Sequence, residues 1–127
     1  MIKDRINHLR DYLRENKIPA VLISKDENVH YFSGFYGDST VLLITEEKAY
    51  LITDCRYIEQ AQQQAPLYEL IEQNEGLIKV SAGLAKKIGV RSISFEGSSL
   101  TFNDYSKLAK ELHPIKPGIS VSIDELR

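Results

Sequence analysis

The chain has 127 residues, which suits one hydrophobic core and leaves no room for a second. Its apolar and charged fractions, 43% and 27%, belong to an ordinary globular protein. The net charge is −2, and Lys and Arg are spread along the chain, so no basic block offers itself to a phosphate backbone and nucleic acid is not an expected partner.

No apolar run approaches the roughly 20 residues that span a bilayer, so no membrane is expected either. The opening Met1-Ile2-Lys3-Asp4-Arg5 lacks the apolar core of a signal peptide. Cys55 is the single cysteine and excludes an internal disulfide. The expected compartment is the cytoplasm.

Ile2, Ile6, Leu9 and Leu13 recur at helical spacing and predict an opening helix. Asn16-Lys17 and Pro19 end it, because the residue before a proline avoids the α region. Ala20-Val21-Leu22-Ile23 is apolar without alternation and reads as a strand covered on both faces. Asp26 is expected to cap a short helical turn through His30 and Phe32. Ser33-Gly34-Phe35-Tyr36-Gly37-Asp38-Ser39 reads as a loop.

Strands are expected at Thr40 to Thr45 and Ala49 to Thr53, paired as an antiparallel hairpin across Glu46-Glu47-Lys48. Asp54 is expected to cap a helix bearing Ile58, Ala61 and Ala65, which Pro66 stops. Tyr68, Leu70 and Ile71 predict an exposed strand. Leu77, Val80, Leu84 and Ile88 return to helical spacing before Gly89, a residue suited to a helix C-terminus. Ser92 to Phe95 is a further short strand.

Thr101 with Asp104 forms a variant capping box. It opens a helix whose expected buried stripe is Tyr105, Leu108, Ala109 and Leu112, closed by Pro114. Ile115 to Ile123 is expected to contain a Pro117-Gly118 turn beside alternating Ile119, Val121 and Ile123. Asp124-Glu125-Leu126-Arg127 reads as the first turn of another helix. Strands alternating with helices, plus one hairpin, predict a three-layer α/β/α domain with a mixed sheet.

The search for chemistry returns little. His8, His30 and His113 lie far apart and form no metal-binding pair. His8 and His113 read as solvated helix residues, whereas His30 adjoins the glycine loop. Cys55 sits at a helix start beside Arg56, but no nearby histidine can act as its base. Asp54 and Glu96 each follow a strand and could hold a divalent cation, yet a nuclease-like two-metal site needs three or four converging acids. The fallback for Asp54 is a cap, and for Glu96 a turn with Gly97.

Two clusters remain. Asn28-Val29-His30-Tyr31-Phe32-Ser33-Gly34-Phe35 packs aromatics around the glycine loop. Thr53-Asp54-Cys55-Arg56-Tyr57 places a guanidinium in a first helical turn, against the favourable direction of the dipole. Arg56 then has either Asp54 or Glu59 as its partner, or an anionic ligand, since arginine binds a carboxylate in bidentate fashion.

These clusters, with Val41-Leu42-Leu43-Ile44-Thr45 and Tyr50-Leu51-Ile52 between them and Glu59-Gln60-Ala61 after them, resemble the N-terminal domain of Xaa-Pro dipeptidases (prolidases) and aminopeptidase P, which creatinase shares. Arg10 and Leu13, the Ala20 strand and the Glu96 turn fall in matching order, so the resemblance covers the whole chain, residues 1–127. It implies a ribonuclease H-like creatinase/prolidase N-terminal fold with about six strands.

It also implies a parent hydrolase in which this domain precedes a C-terminal "pita-bread" catalytic domain absent from these 127 residues. There two divalent metals (Mn, Co or Zn), held by two Asp, one His and two Glu, activate water against the Xaa-Pro peptide bond of short peptides. The resemblance places no catalytic residue and no metal ligand on this chain, which is expected to be inactive alone.

The expected partners are its own catalytic domain, a second copy in a homodimer, and the peptide. The loop Phe35 to Ser39 would reach the neighbouring subunit's active site. The residues expected to meet substrate there are His30, Tyr36, Asp38 and Arg56. A stand-alone α/β binding or dimerisation module is the alternative of a different class, and creatinase-type amidinohydrolysis is the alternative within the family.

Overall fold

The computed structural model describes residues 1–127. The elements are α1 (Ile2–Glu15), β1 (Ala20–Ile23), α2 (Asp26–Ser33), β2 (Val41–Thr45), β3 (Ala49–Thr53), α3 (Ile58–Gln64), β4 (Glu69–Glu72), α4 (Leu77–Ile88), β5 (Ser92–Glu96), α5 (Phe102–Leu112) and β6 (Lys116–Val121). A short 3-10 turn at Asp124–Leu126 follows.

One six-stranded sheet runs in the order β4-β3-β2-β1-β5-β6. β2 is antiparallel to both β1 and β3, and the other three pairings are parallel. The alternation of side chains along each strand sends them to two core layers of the one domain, one on each face of the sheet. Val21, Ile23, Leu42, Ile44 and Leu51 meet α1, α2 and α3 on one face. Ala20, Leu22, Leu43, Ile52 and Ile93 meet α4 and α5 on the other. The three-layer α/β/α arrangement with a mixed sheet is therefore present. No helix is long and apolar enough to cross a membrane.

Several local expectations need correction. Asp26 is not the cap of α2. It lies in the first turn after the cap position at Lys25, where an acid still favours the helix dipole. Asp54 does not cap α3 either, because that helix starts at Ile58 and its cap position is Tyr57. Thr40 lies just outside β2.

Pro117-Gly118 makes no turn, since β6 runs straight through both residues. β6 is an edge strand, where a proline's missing N–H is tolerated, and an irregularity in register opposite Ile93 and Phe95 absorbs the mismatch. Tyr105 leaves the expected stripe of α5: it is exposed and lies against Phe95, while Leu108 and Leu112 fill the core. α4 turns the small residues Ser81, Ala82 and Ala85 fully inward, and its larger Leu77, Val80, Leu84 and Ile88 are half-buried around them.

Candidate functional site

The sequence between α2 and β2 builds an exposed rim from a rigid base. α2 ends at Gly34, whose φ of 84° suits a residue without a Cβ. A Cβ there would also lie 2.9 Å from the Gln64 carbonyl oxygen. The Ser33 hydroxyl donates to the Val29 carbonyl (2.6 Å) and accepts from the Phe35 N–H (3.0 Å), which fixes the turn. Phe35 is fully buried, edge-on to Tyr57, and anchors the loop.

Tyr36 then projects outward, 73% exposed. Its backbone is held on both sides by α3. The Tyr36 N–H donates to Gln64 Oε1 (2.9 Å), and its carbonyl accepts from Gln60 Nε2 (2.6 Å). Gly37 follows where a Cβ would strike the Phe35 ring at 2.8 Å. Asp38 Oδ1 accepts from the Tyr57 hydroxyl (2.8 Å), and this bond holds the Tyr57 phenol above its ordinary pKa.

His30 faces the same rim from α2. Its Nδ1 lies 3.3 Å from the Phe35 carbonyl, and its ring stands edge-on to Tyr36 at 4.9 Å. A carbonyl only accepts, so this contact assigns the proton to Nδ1 and leaves Nε2 for another partner. From α1, Arg5 lays its guanidinium 4.2 Å over the Tyr31 ring and donates from Nη1 to the Tyr31 carbonyl (3.0 Å). His30, Tyr36, Asp38 and Arg5 line a groove of about 710 Å³ together with Asp26, Glu27 and Arg127.

Arg56 is not part of this groove. Its Nε and Nη2 clasp the Asp54 carboxylate at 3.1 and 2.8 Å, and Asp54 Oδ1 also accepts the Arg56 backbone N–H at 3.0 Å. The hydrogen bond from Arg56 holds Asp54 below the ordinary carboxylate range. Cys55 is exposed within this turn. Of the four expected site residues, the fold brings His30, Tyr36 and Asp38 together and gives Arg56 a partner of its own.

Behind α2 lies a polar cluster that sequence reading missed. Glu96 is 1% exposed at the end of β5. Its Oε1 accepts the backbone N–H groups of Ser24 (2.8 Å) and Lys25 (3.0 Å), and its Oε2 accepts from Asn28 Nδ2 (2.6 Å). The same Asn28 nitrogen donates to Asp124 Oδ1 (2.9 Å), whose other oxygen meets Lys25 Nζ at 2.7 Å. Glu96 and Asp54 are thus both spent on N–H donors. No group of three His, Cys, Asp or Glu side chains is arranged to hold a metal.

The profile of the Creatinase/Prolidase N-terminal domain matches residues 5–127. The chain belongs to that family. An uncharacterized peptidase of Bacillus subtilis is 32% identical over 97% of this chain, which spans 35% of that protein. An Xaa-Pro dipeptidase from Bacillus anthracis superposes with a TM-score of 0.90 at 28% identity, over 100% of this chain and 36% of the other. The N-terminal domain of a cytoplasmic peptidase from Mycobacterium tuberculosis superposes with a TM-score of 0.88 at 32% identity, over 98% of each chain. The chain therefore spans about a third of the length of the Bacillus subtilis and Bacillus anthracis proteins.

Within this creatinase/prolidase domain, Arg5 and Gln64 were not singled out from sequence, and Gln60 entered only through the segment Glu59-Gln60-Ala61, with no role of its own. Arg5 carried one local signal: it immediately precedes Ile6 of the buried stripe of α1, so its stem starts beside the core. The glutamines carried none, because what they hold is a backbone segment 24 to 28 residues away.

Proposed function

We propose that this chain is the accessory, oligomerisation and substrate-restricting domain of a metal-dependent Xaa-Pro peptidase. The observation that carries the reading is the groove. It sets an aromatic ring, an imidazole, a carboxylate and a guanidinium on one exposed rim whose backbone is locked from α2 and α3. A rim held this firmly is suited to restrict a neighbouring cleft. Short peptides pass it, and folded chains are excluded by the wall it makes. The names of the relatives support the peptidase reading.

The metal pair of such an enzyme does not fit the acids of this chain, whose buried Glu96 and half-buried Asp54 are already hydrogen-bonded. Its ligands belong to a further, C-terminal catalytic domain, and this chain contributes no catalytic residue. Dimerisation through the domain brings the rim of one subunit to the cleft of the other. The cytoplasm is the compartment in this reading.

The test compares the chain alone with the longer protein that contains it, each supplied with Mn. The chain alone leaves glycyl-proline intact, and the longer protein cleaves it. Cleavage by the chain alone overturns the division of labour. Failure of the longer protein to cleave any Xaa-Pro peptide overturns the peptidase reading. Sedimentation of the longer protein checks the dimer.

A further inference from the structure

A second cavity lies at the opposite end of the sheet from the groove. The groove is lined by residues that follow β1 and precede β2, His30 and Asp38 among them. The second cavity, of about 700 Å³, is lined by residues that precede β1, follow β2 and precede β5. The α1–β1 turn, the β2–β3 hairpin and the α4–β5 connection converge there. A cavity of this size is large enough for a small molecule.

Two features distinguish it from an ordinary surface hollow. The first is Tyr50, which is 5% exposed and lines this cavity. The comparably buried Tyr68 spends its hydroxyl on the Phe32 carbonyl, whereas the Tyr50 hydroxyl has no protein partner. That oxygen is not sealed off, so its hydrogen-bonding capacity is open to the cavity. A tyrosine buried this deeply usually finds a partner for its hydroxyl.

The second is Lys17. α2 and α4 end on left-handed glycines, Gly34 and Gly89. α1 ends in the same kind of turn, with the Ile18 N–H donating to the Leu13 carbonyl and the Lys17 N–H to the Arg14 carbonyl. Its left-handed residue is Lys17, with a φ of 56°. Glycine takes that conformation without strain and lysine does not. The turn therefore sets an ammonium on the cavity wall against the preference of its own backbone.

Lys48 from the hairpin and Arg91 from the α4–β5 connection line the same cavity. None of the six ion pairs of the molecule involves Lys17, Lys48 or Arg91. Glu46 and Glu47 line it as well, also without an ion pair, so three free cations face two free acids. Ile18, Ile88 and Val90 supply an apolar wall.

We infer that this cavity is a binding site for a small phosphate ester. Lys17, Lys48, Arg91 and the Tyr50 hydroxyl hold the phosphate, and the organic body lies against Ile18, Ile88 and Val90. Lysine meets a phosphate as a point charge and arginine as a fork, so cations from three turns can share one dianion. Glu46 and Glu47 remain as acceptors for hydroxyl or amine groups of the body. The site is independent of the peptide-facing rim. It leaves no basic block in the sequence, because each cation comes from a different turn.

The experiment uses the isotope-labelled 127-residue chain. It is titrated with phenyl phosphate, with inorganic phosphate and with benzoate, while the Tyr50 ring and Arg91 Nε–Hε signals are followed by NMR. Phenyl phosphate is expected to move both along one saturation curve, with the His30 and Tyr36 signals still. Inorganic phosphate, which lacks the apolar body, and benzoate, which lacks the second charge, are each expected to bind about tenfold more weakly. Tyr50→Phe is expected to keep the denaturation midpoint, since its hydroxyl has no protein partner to lose, and to weaken phenyl phosphate about tenfold. Arg91→Gln is expected to weaken it by a similar factor and to reduce the salt dependence of binding.

Equal affinity for inorganic and phenyl phosphate, with Tyr50 still, overturns the inference and shows scattered surface charge. Benzoate bound as tightly as phenyl phosphate overturns the phosphate assignment. No saturable movement of Tyr50 and Arg91 with phenyl phosphate overturns the site outright.

Discussion

The two sides of α2 are built from the same kinds of residue and do opposite things. On its inner side Asn28 is fully buried, and its amide nitrogen is shared between the carboxylates of Glu96 and Asp124. On its outer side His30 and Tyr31 border an open groove in which Arg5, Tyr36 and Glu27 keep donors or acceptors without a protein partner. A polar group buried against protein and left unmatched costs about 1–3 kcal/mol, and in this inner cluster only the Asn28 side-chain oxygen has no partner. Polar groups on a rim can be left for a ligand. The difference separates residues that hold the domain together from residues available for its work.

The comparison breaks first at Glu96. Glu96→Ala strands the Ser24 and Lys25 amides and the Asn28 side chain, and is expected to cost about 3 kcal/mol, read from chemical denaturation. A loss below about 1 kcal/mol would mean that water replaces the carboxylate and that the inner side is not a sealed network.

Tyr68 sharpens the same point. Its hydroxyl donates to the Phe32 carbonyl of α2 at 2.6 Å, and burial pushes its phenol pKa well above the ordinary value. The neutral phenol is therefore favoured in the folded state. Its contribution is complete below the unfolded pKa of about 10 and declines as pH rises beyond it. Tyr68→Phe is expected to cost about 1 kcal/mol at neutral pH and to flatten the alkaline limb of the stability curve.

Asp124 gives a smaller effect of opposite sense. The hydrogen bond from Lys25, and then that from Asn28, hold its carboxyl below the ordinary range. Its contribution is present above the unfolded pKa of about 3.9 and fades as pH falls below it. Protection of the Leu126 and Arg127 amides, relative to the intrinsic exchange rate at each pH, is expected to fall in acid before the sheet opens. Smallest of all, Arg56→Ala is expected to leave the denaturation midpoint unchanged, because its ion pair with Asp54 is exposed. A clear drop would show that the Asp54 turn bears on the fold.

The layers of the fold were legible because burial wrote itself into local patterns. The unbroken Ala20–Ile23 run became a strand buried on both faces, and Ile6, Leu9 and Leu13 became the inner stripe of α1. The Pro117-Gly118 pair misled, since whether a proline breaks a strand depends on which edge of the sheet it occupies, and that is a tertiary fact. The groove was legible in part: Gly34 and the aromatics marked the loop, and His30, Tyr36 and Asp38 do converge there. Arg56 had two readings open, a neighbouring acid or an anionic ligand, and Asp54, two residues away, is the acid it meets. Asn28 and Glu96 were hidden because 68 residues separate the two halves of their bond.

The most direct test of the account places Tyr36→Ala in the longer Xaa-Pro peptidase proposed above. Tyr36 is 73% exposed and makes no side-chain hydrogen bond within the domain. The denaturation midpoint should therefore stay where it is, while KM for a short Xaa-Pro peptide rises about tenfold with kcat little changed. An unaltered kcat/KM would contradict the proposal that this rim meets the substrate.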